Sequence, residues 1–190
     1  MTDWNETNRL TLVTSPASEK VTTSNVKTYA QVDENFTADD SLLRGFGRQG
    51  RDWCERHTGR RFGQYQYDLR LDAFPKCGIE LPFPPLVSVD GVYYIASDGT
   101  ETELASSEYR VDSVDENRTA RIVRAYGVTW PTPRAVTNAV RVRFTCGYDD
   151  VPDLLLNSAY DYAKSLYDHA APDLEKLQLW LAPYVVHRWG

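Results

Sequence analysis

Two runs of sequence decide the fold: Cys77-Gly-Ile-Glu-Leu-Pro-Phe-Pro-Pro-Leu-Val-Ser-Val-Asp-Gly-Val-Tyr-Tyr-Ile95 and Ala139-Val-Arg-Val-Arg-Phe-Thr-Cys-Gly-Tyr148. In the second, Val140, Val142 and Phe144 alternate with Arg141 and Arg143. That is the period of a half-buried antiparallel strand. In the first, Val87 with Val89, and Val92 with Tyr94, stand two residues apart, so each pair is expected on one face of a strand. Ser97-Asp98-Gly99-Thr100 follows, and Asp-Gly between β-rich runs signals a hairpin, because glycine accepts positive φ without steric cost. Further short strands are expected at Tyr109–Val111 and Arg121–Val123. Upstream, Tyr65, Tyr67, Leu69 and Leu71 alternate along a strand between Gln64 and Phe74. Pro82, Pro84 and Pro85 keep their segment extended and at a sheet edge.

Outward from this block the periodicity turns helical, so the predicted fold class is α+β: a helical body with a small central antiparallel β-element. Residues 1–23 are polar and are expected to form an arm. Residues 24–190 are expected to form one domain, with helices over 24–60, a β-rich insertion over 64–146, helices over 152–182 and a tail over 183–190. Ser24 caps a short helix to Gln31, and Thr37-Ala-Asp-Asp40 opens a longer one that runs to His57 and stops at Gly59. Leu43, Phe46, Gly50, Trp53 and His57 share one face of it. Gly45, Gly47 and Gly50 each cost about 1 kcal/mol relative to alanine inside a helix, so another element is expected to approach closely there. Arg44, Arg48 and Arg56 line a second face around Asp52, and Arg51 is placed to pair with Glu55. After the strands, Pro152 suits a first helical turn, and Leu155, Ala159, Tyr162 and Leu166 make a core-facing stripe that Tyr160 and Tyr167 extend. Leu174, Leu177 and Leu181 mark a last helix, which Pro183 ends.

Composition bounds the function. The chain has 190 residues, 42% hydrophobic and 25% charged, which fits a soluble globular protein with a core of its own. No apolar run approaches the roughly 18 residues of a membrane span. No export signal is expected from the first residues. Cys54, Cys77 and Cys146 are odd in number and far apart, as reduced thiols rather than a disulfide framework. The net charge is −6. Asp98, Glu101, Glu103, Glu108, Asp112, Asp115 and Glu116 crowd one region against Arg110 alone. The only basic concentration lies within Arg44–Arg61, so a sequence-specific duplex binder is not indicated. The acidic region reads most simply as solvated surface.

The residues that carry chemistry do not assemble into a known pattern. Cys54-Glu-Arg-His57 is half of a metal site at best, and no CxxC or HxxxH pair completes it. The same pair lacks the orienting group that a Cys–His nucleophile needs. There is no GxGxxG, P-loop, GxSxG or HExxH. No enzyme activity, metal or cofactor is expected.

The ordered set of segments resembles a family. It runs Cys54-Glu-Arg-His-Thr-Gly-Arg-Arg61, Tyr67-Asp-Leu-Arg-Leu-Asp-Ala-Phe-Pro75, Ile79-Glu-Leu-Pro-Phe-Pro-Pro-Leu-Val-Ser-Val89, Tyr109-Arg-Val-Asp112, Arg121-Ile-Val123 and Trp130-Pro131. It closes on Val142-Arg-Phe-Thr-Cys-Gly-Tyr148, Val151-Pro152 and Leu181-Ala-Pro-Tyr184. Over residues 24–190 this resembles the head–tail connector (adaptor) proteins of tailed bacteriophages and gene transfer agents. The glycines of the second helix, where alanines are expected, and the long polar lead-in depart from it. The resemblance implies a structural subunit of the virion neck, assembled in the host cytoplasm. It implies a ring, twelvefold in the family, docked beneath the portal protein and bound on its other side by stopper or tail proteins. DNA would pass through without sequence-specific binding, and an excess of acid suits a channel that must not grip phosphate. No membrane contact, catalytic group or cofactor is implied. The C-terminal residues Tyr184, Val185, Val186 and Trp189 are the candidate portal contact. Arg44, Arg48 and Arg56 on one side, with Glu101, Glu103 and Glu108 on the other, are candidate subunit-interface patches. A stopper, or a β-rich carbohydrate-binding module served by exposed aromatics, are the alternatives.

Overall fold

The structure, a computed structural model, describes residues 9–113 and 118–186. Its elements are β1 (Arg9–Thr14), α1 (Thr23–Ala30), α2 (Asp40–Thr58), β2 (Tyr65–Leu71), β3 (Ile79–Leu81), β4 (Leu86–Ile95), β5 (Glu101–Glu103), β6 (Tyr109–Asp112), β7 (Ala120–Arg124), β8 (Val140–Cys146), α3 (Asp153–Tyr167) and α4 (Leu174–Leu181), with 3-10 turns at Ser106–Glu108 and Ala182–Tyr184. The fold is α+β, and every strand pairing is antiparallel. Among the described residues no helix is long and apolar enough to cross a membrane.

The chain divides into two compact units. Among the described residues, the first comprises 9–16, 64–113 and 118–147. It holds a five-stranded sheet in the order β1-β2-β8-β4-β5 and a three-stranded sheet in the order β3-β7-β6. Inward residues of both sheets, including Leu69, Val142 and Phe144 from one and Ile79, Leu81 and Ile122 from the other, share one core. β8 alternates buried and half-buried as its sequence requires. The hairpin at Ser97–Thr100 is present: Gly99 has φ +94°, and the Asp98 carboxylate accepts from the Thr100 amide at 2.9 Å.

Two expectations fail here. Residues 9–14 are a strand, not part of an arm: Leu10 lies opposite Leu69 and Leu12 opposite Tyr67, which ties the lead-in to the sheet. Val87 and Val89 do not share a face. Register shifts between Leu86 and Ser88, and between Val89 and Gly91, bend β4. Each bulge inserts one residue and resets the alternation. Leu86, Val89, Val92 and Tyr94 therefore face the core while Val87 is 48% exposed.

The second unit, Ala17–Gly63 and Tyr148–Val186, is helical. α1 is capped two residues earlier than expected, with the Thr22 hydroxyl accepting from the Asn25 amide. α2 starts at Asp40 and ends at Gly59, which is left-handed at φ +72°. Its buried positions are Leu43, Gly47, Gly50, Cys54, Glu55 and Thr58. The close approach inferred from the glycines is real at Gly50, where a Cβ would lie 2.3 Å from the Ala159 carbonyl oxygen on α3. It is absent at Gly45, where a Cβ would meet nothing within 4 Å. On α3 the buried residues are Leu155, Ser158, Ala159, Tyr160 and Ala163, while Leu166 and Tyr162, which stacks on Trp53, are half-buried.

Candidate interaction surfaces

The outer face of the five-stranded sheet is a charged surface set by strand register. Arg9 lies opposite Arg70, Arg70 opposite Arg141, Arg141 opposite Tyr93, and Tyr93 opposite Glu103. Residues directly opposite in antiparallel strands project to the same face, so these five form one row across the sheet. In the next row Asp68 lies opposite Arg143. Its carboxylate receives Arg143 Nε at 2.8 Å and Nη2 at 2.9 Å. That fork, being planar and charge-assisted, is the strong form of the interaction. It holds the Asp68 carboxyl below its ordinary pKa, against the opposing effect of burial.

Glu101 is already engaged. Arg141 donates to it through Nε at 2.9 Å and Nη2 at 2.8 Å, and the same guanidinium lies 4.0 Å from the centroid of the Tyr93 ring. Glu108 turns back to accept from the Ala105 amide at 3.2 Å. Glu103 is exposed and, among the described residues, has no ion-pair partner. Of Glu101, Glu103 and Glu108, Glu103 is the one with no side-chain hydrogen bond or ion pair among the described residues. Asp115 and Glu116 lie outside the described residues.

On α2, Arg44, Arg48 and Arg56 are all exposed. Arg56 donates through Nε to the Asp52 carbonyl oxygen at 3.2 Å. Arg51 does not pair with Glu55: it bonds Glu19 and Asp52 instead. Glu55 is buried, accepts from the Phe62 amide at 2.8 Å and lies 3.4 Å from Arg61. Burial pushes the Glu55 carboxyl above its ordinary pKa, partly offset by the Phe62 amide and by Arg61.

The end of the described chain is fastened to its own unit. Tyr184 packs against the helical core. Its carbonyl oxygen accepts from Arg60 Nε at 2.6 Å, and the Val186 amide donates to the Thr58 carbonyl oxygen at 2.9 Å. Arg60 is 1% exposed, donates to the Tyr148 hydroxyl at 2.7 Å, and has Tyr148 and Tyr184 ring centroids at 5.8 and 5.6 Å. Trp189 lies outside the described residues.

No protein-family model matches this chain, and no curated protein matches it in sequence. Solved structures match its fold from end to end. A chain in the neck of an empty GTA particle, computed with C6 symmetry, has a TM-score of 0.77 at 19% identity, covering 96% of this chain and 97% of that one. A chain in the virion of the native gene transfer agent (GTA) particle gives 0.76 at 20% identity, covering 95% and 97%. A chain in the neck of the native GTA particle, computed with C12 symmetry, gives 0.72 at 19%, covering 96% and 97%. The fold is what is shared.

The residues examined for catalysis are put to other uses. Burial pushes the Cys54 thiol up to about 12, with Glu55 adding to the effect. His57 stacks on Trp53 with centroids 5.2 Å apart, and Trp53 stacks in turn on Tyr162. Among the described residues no three His, Cys, Asp or Glu side chains are placed to hold a metal ion. A cavity of about 330 Å³ lies beside Lys76, Cys77, Arg124 and Trp130, with no acid or histidine in its lining. Trp130 is its one aromatic and is stacked on Phe74 at 4.8 Å, an arrangement unlike the converging exposed rings of a sugar site. Arg60 and the Asp68–Arg143 fork were invisible in the sequence, because burial of an arginine and cross-strand register leave no local signal.

Proposed function

We propose that this protein is a structural subunit of the neck of a tailed-phage-like or gene-transfer-agent particle, acting as the head–tail connector (adaptor). The observation that carries the reading is the end-to-end likeness of fold to chains from GTA necks, in which both proteins are covered almost completely. The ordered segments that resemble connector proteins support it independently. In this role copies form a ring beneath a portal protein, stopper or tail proteins bind the far side, and DNA passes through a channel that does not read its sequence. The exposed Arg44–Arg48–Arg56 face docks on an acidic surface of the assembly. The C-terminal segment reaches the portal, with Tyr184 and Val186 held by Arg60 and Thr58. Cryo-electron microscopy of particles that carry a tagged copy tests the role. Density for this chain at the head–tail vertex is expected, and gene deletion should leave filled or empty heads without tails. Tailed, infective or DNA-transferring particles formed without it would refute the assignment.

A further inference from the structure

The five-stranded sheet ends on two edges of opposite character. β1 pairs with β2 on one side only, and β5 with β4 on one side only, among the described residues. On β1, Leu12 is 48% and Val13 41% exposed. The strand has no proline, lysine or inward charge, and its register shifts only between Leu12 and Thr14, so Arg9–Leu12 is left as a regular, unpaired edge. The outer face is polarised between the two edges. On the β1 side Arg9, Arg70, Arg141 and Arg143 stand against Asp68, while the β5 side carries Glu101 and Glu103. Glu101 is spent on Arg141, and Glu103, at the end of the same cross-sheet row as Arg9, is not.

We propose that copies of this chain associate edge to edge, β5 of one against β1 of the next, continuing the sheet from subunit to subunit. Four antiparallel steps separate β1 from β5, so the two strands run in the same direction, and the new pairing is parallel. Main-chain hydrogen bonds of strand addition supply the attachment. Glu103 of one copy then meets Arg9 of the next. The contact is heterologous, the kind that repeats around a ring. A two-fold β1–β1 contact would instead bring two arginine-rich halves together, and like charges across strands repel. This proposal rests on the ring-forming reading above.

Disulfide trapping tests it. Cα atoms of paired strands lie about 5 Å apart, within reach of a disulfide. In a Cys77→Ser background, which removes the exposed thiol, Glu103→Cys protein is mixed with Arg9→Cys or with Thr11→Cys protein and oxidised at high concentration and in assembled particles. A heterodimer is expected from at least one mixture. The matching double variant should give a ladder of covalent oligomers, and either single variant alone should give monomer. No cross-link in any mixture, with circular dichroism showing folded protein, overturns edge pairing, as does dimer from Arg9→Cys alone. If wild-type rings form while the cross-links fail, the neck reading stands and only this interface falls. Absence of the protein from particles would fell the neck reading itself.

Discussion

Arg60 Nε donates to the Tyr184 carbonyl oxygen at 2.6 Å, joining the loop that follows α2 to the 3-10 turn that follows α4 across more than a hundred positions of sequence. The guanidinium is buried, so its hydrogen bonds are not replaceable by water in place. Arg60→Lys keeps the charge but loses the planar fork that serves the Tyr184 carbonyl and the Tyr148 hydroxyl together. It should cost about 1.5–3 kcal/mol in urea unfolding. The C-terminal segment should also become sensitive to carboxypeptidase before global unfolding. Wild-type stability and unchanged digestion would show the clasp to be incidental.

Two glycines of α2 should respond to alanine with opposite signs. At Gly45 the methyl enters open space, so helix propensity acts alone and Gly45→Ala should stabilise by about 1 kcal/mol. At Gly50 the same methyl would lie 2.3 Å from the Ala159 carbonyl oxygen, a backbone atom that cannot step aside. Gly50→Ala should therefore destabilise by about 1–3 kcal/mol or more, as overpacked cores do. Thermal melts of both variants, side by side, decide it.

Two carboxyls should shape acid stability in opposite directions. The Asp68 pKa is lowered when folded, chiefly by the Arg143 hydrogen bonds. Its contribution is complete above the unfolded value of about 3.9 and is lost as pH falls through the folded value. The Glu55 pKa is raised by burial. Between its unfolded value of about 4.3 and its raised folded value, the folded state holds more protons, so stability falls as pH rises through that window. Asp68→Asn should lose about 1.5–3 kcal/mol at pH 7 and show a flatter decline in acid. Glu55→Gln should show a steeper one. Parallel slopes for the wild type and both variants would contradict the assignment.

What the sequence made legible follows from where the governing forces are local. The alternation of β8 and the Asp98-Gly99 turn are written in adjacent residues, and both hold. β4 defeats the same rule, because its two bulges come from pairing with β8 and not from anything within Leu86–Ile95. β1 went unread since Arg9-Leu-Thr-Leu-Val-Thr14 is a single short alternation in a polar lead-in, although Leu10 and Leu12 at period two were the available signal. Of the candidate surfaces, exposure of Arg44, Arg48 and Arg56 was legible from helical spacing. Capture of Glu101 by Arg141 was not, because it depends on β4, β5 and β8 lying side by side.

Reversal of Arg44 and Arg48 to Glu tests the α2 face. Both side chains are exposed, so the fold should tolerate the change within about 0.5 kcal/mol, as surface sites do. Attachment to an acidic neighbour should weaken, and the difference from wild type should grow as salt is lowered, since exposed charges are screened over about 10 Å at 0.1 M. Ring or particle incorporation, followed by sedimentation at several ionic strengths, is the readout. Normal incorporation at low salt would remove this face from the interface.

The C-terminal segment divides into a fastened part and the residues beyond it, and truncation should separate them. Tyr184 packs half-buried against the helical core and supplies the acceptor for Arg60, while the Val186 amide bonds Thr58. Deleting 184–190 removes a packed aromatic ring and leaves a buried guanidinium short of one acceptor. Loss of about 3 kcal/mol or more is expected, so failure of that variant to assemble would say little about partners. Deleting 187–190 keeps every one of these contacts and removes Trp189, the residue type most enriched at binding hot spots. The shorter deletion should melt within a few degrees of wild type yet fail to attach to portal-bearing heads in a pull-down. Restoring the four residues with Trp189→Ala should leave binding impaired, which distinguishes the indole from mere length. If the 187–190 deletion binds portal-bearing heads normally, the tail is not the portal contact, and its part in the protein ends at Val186.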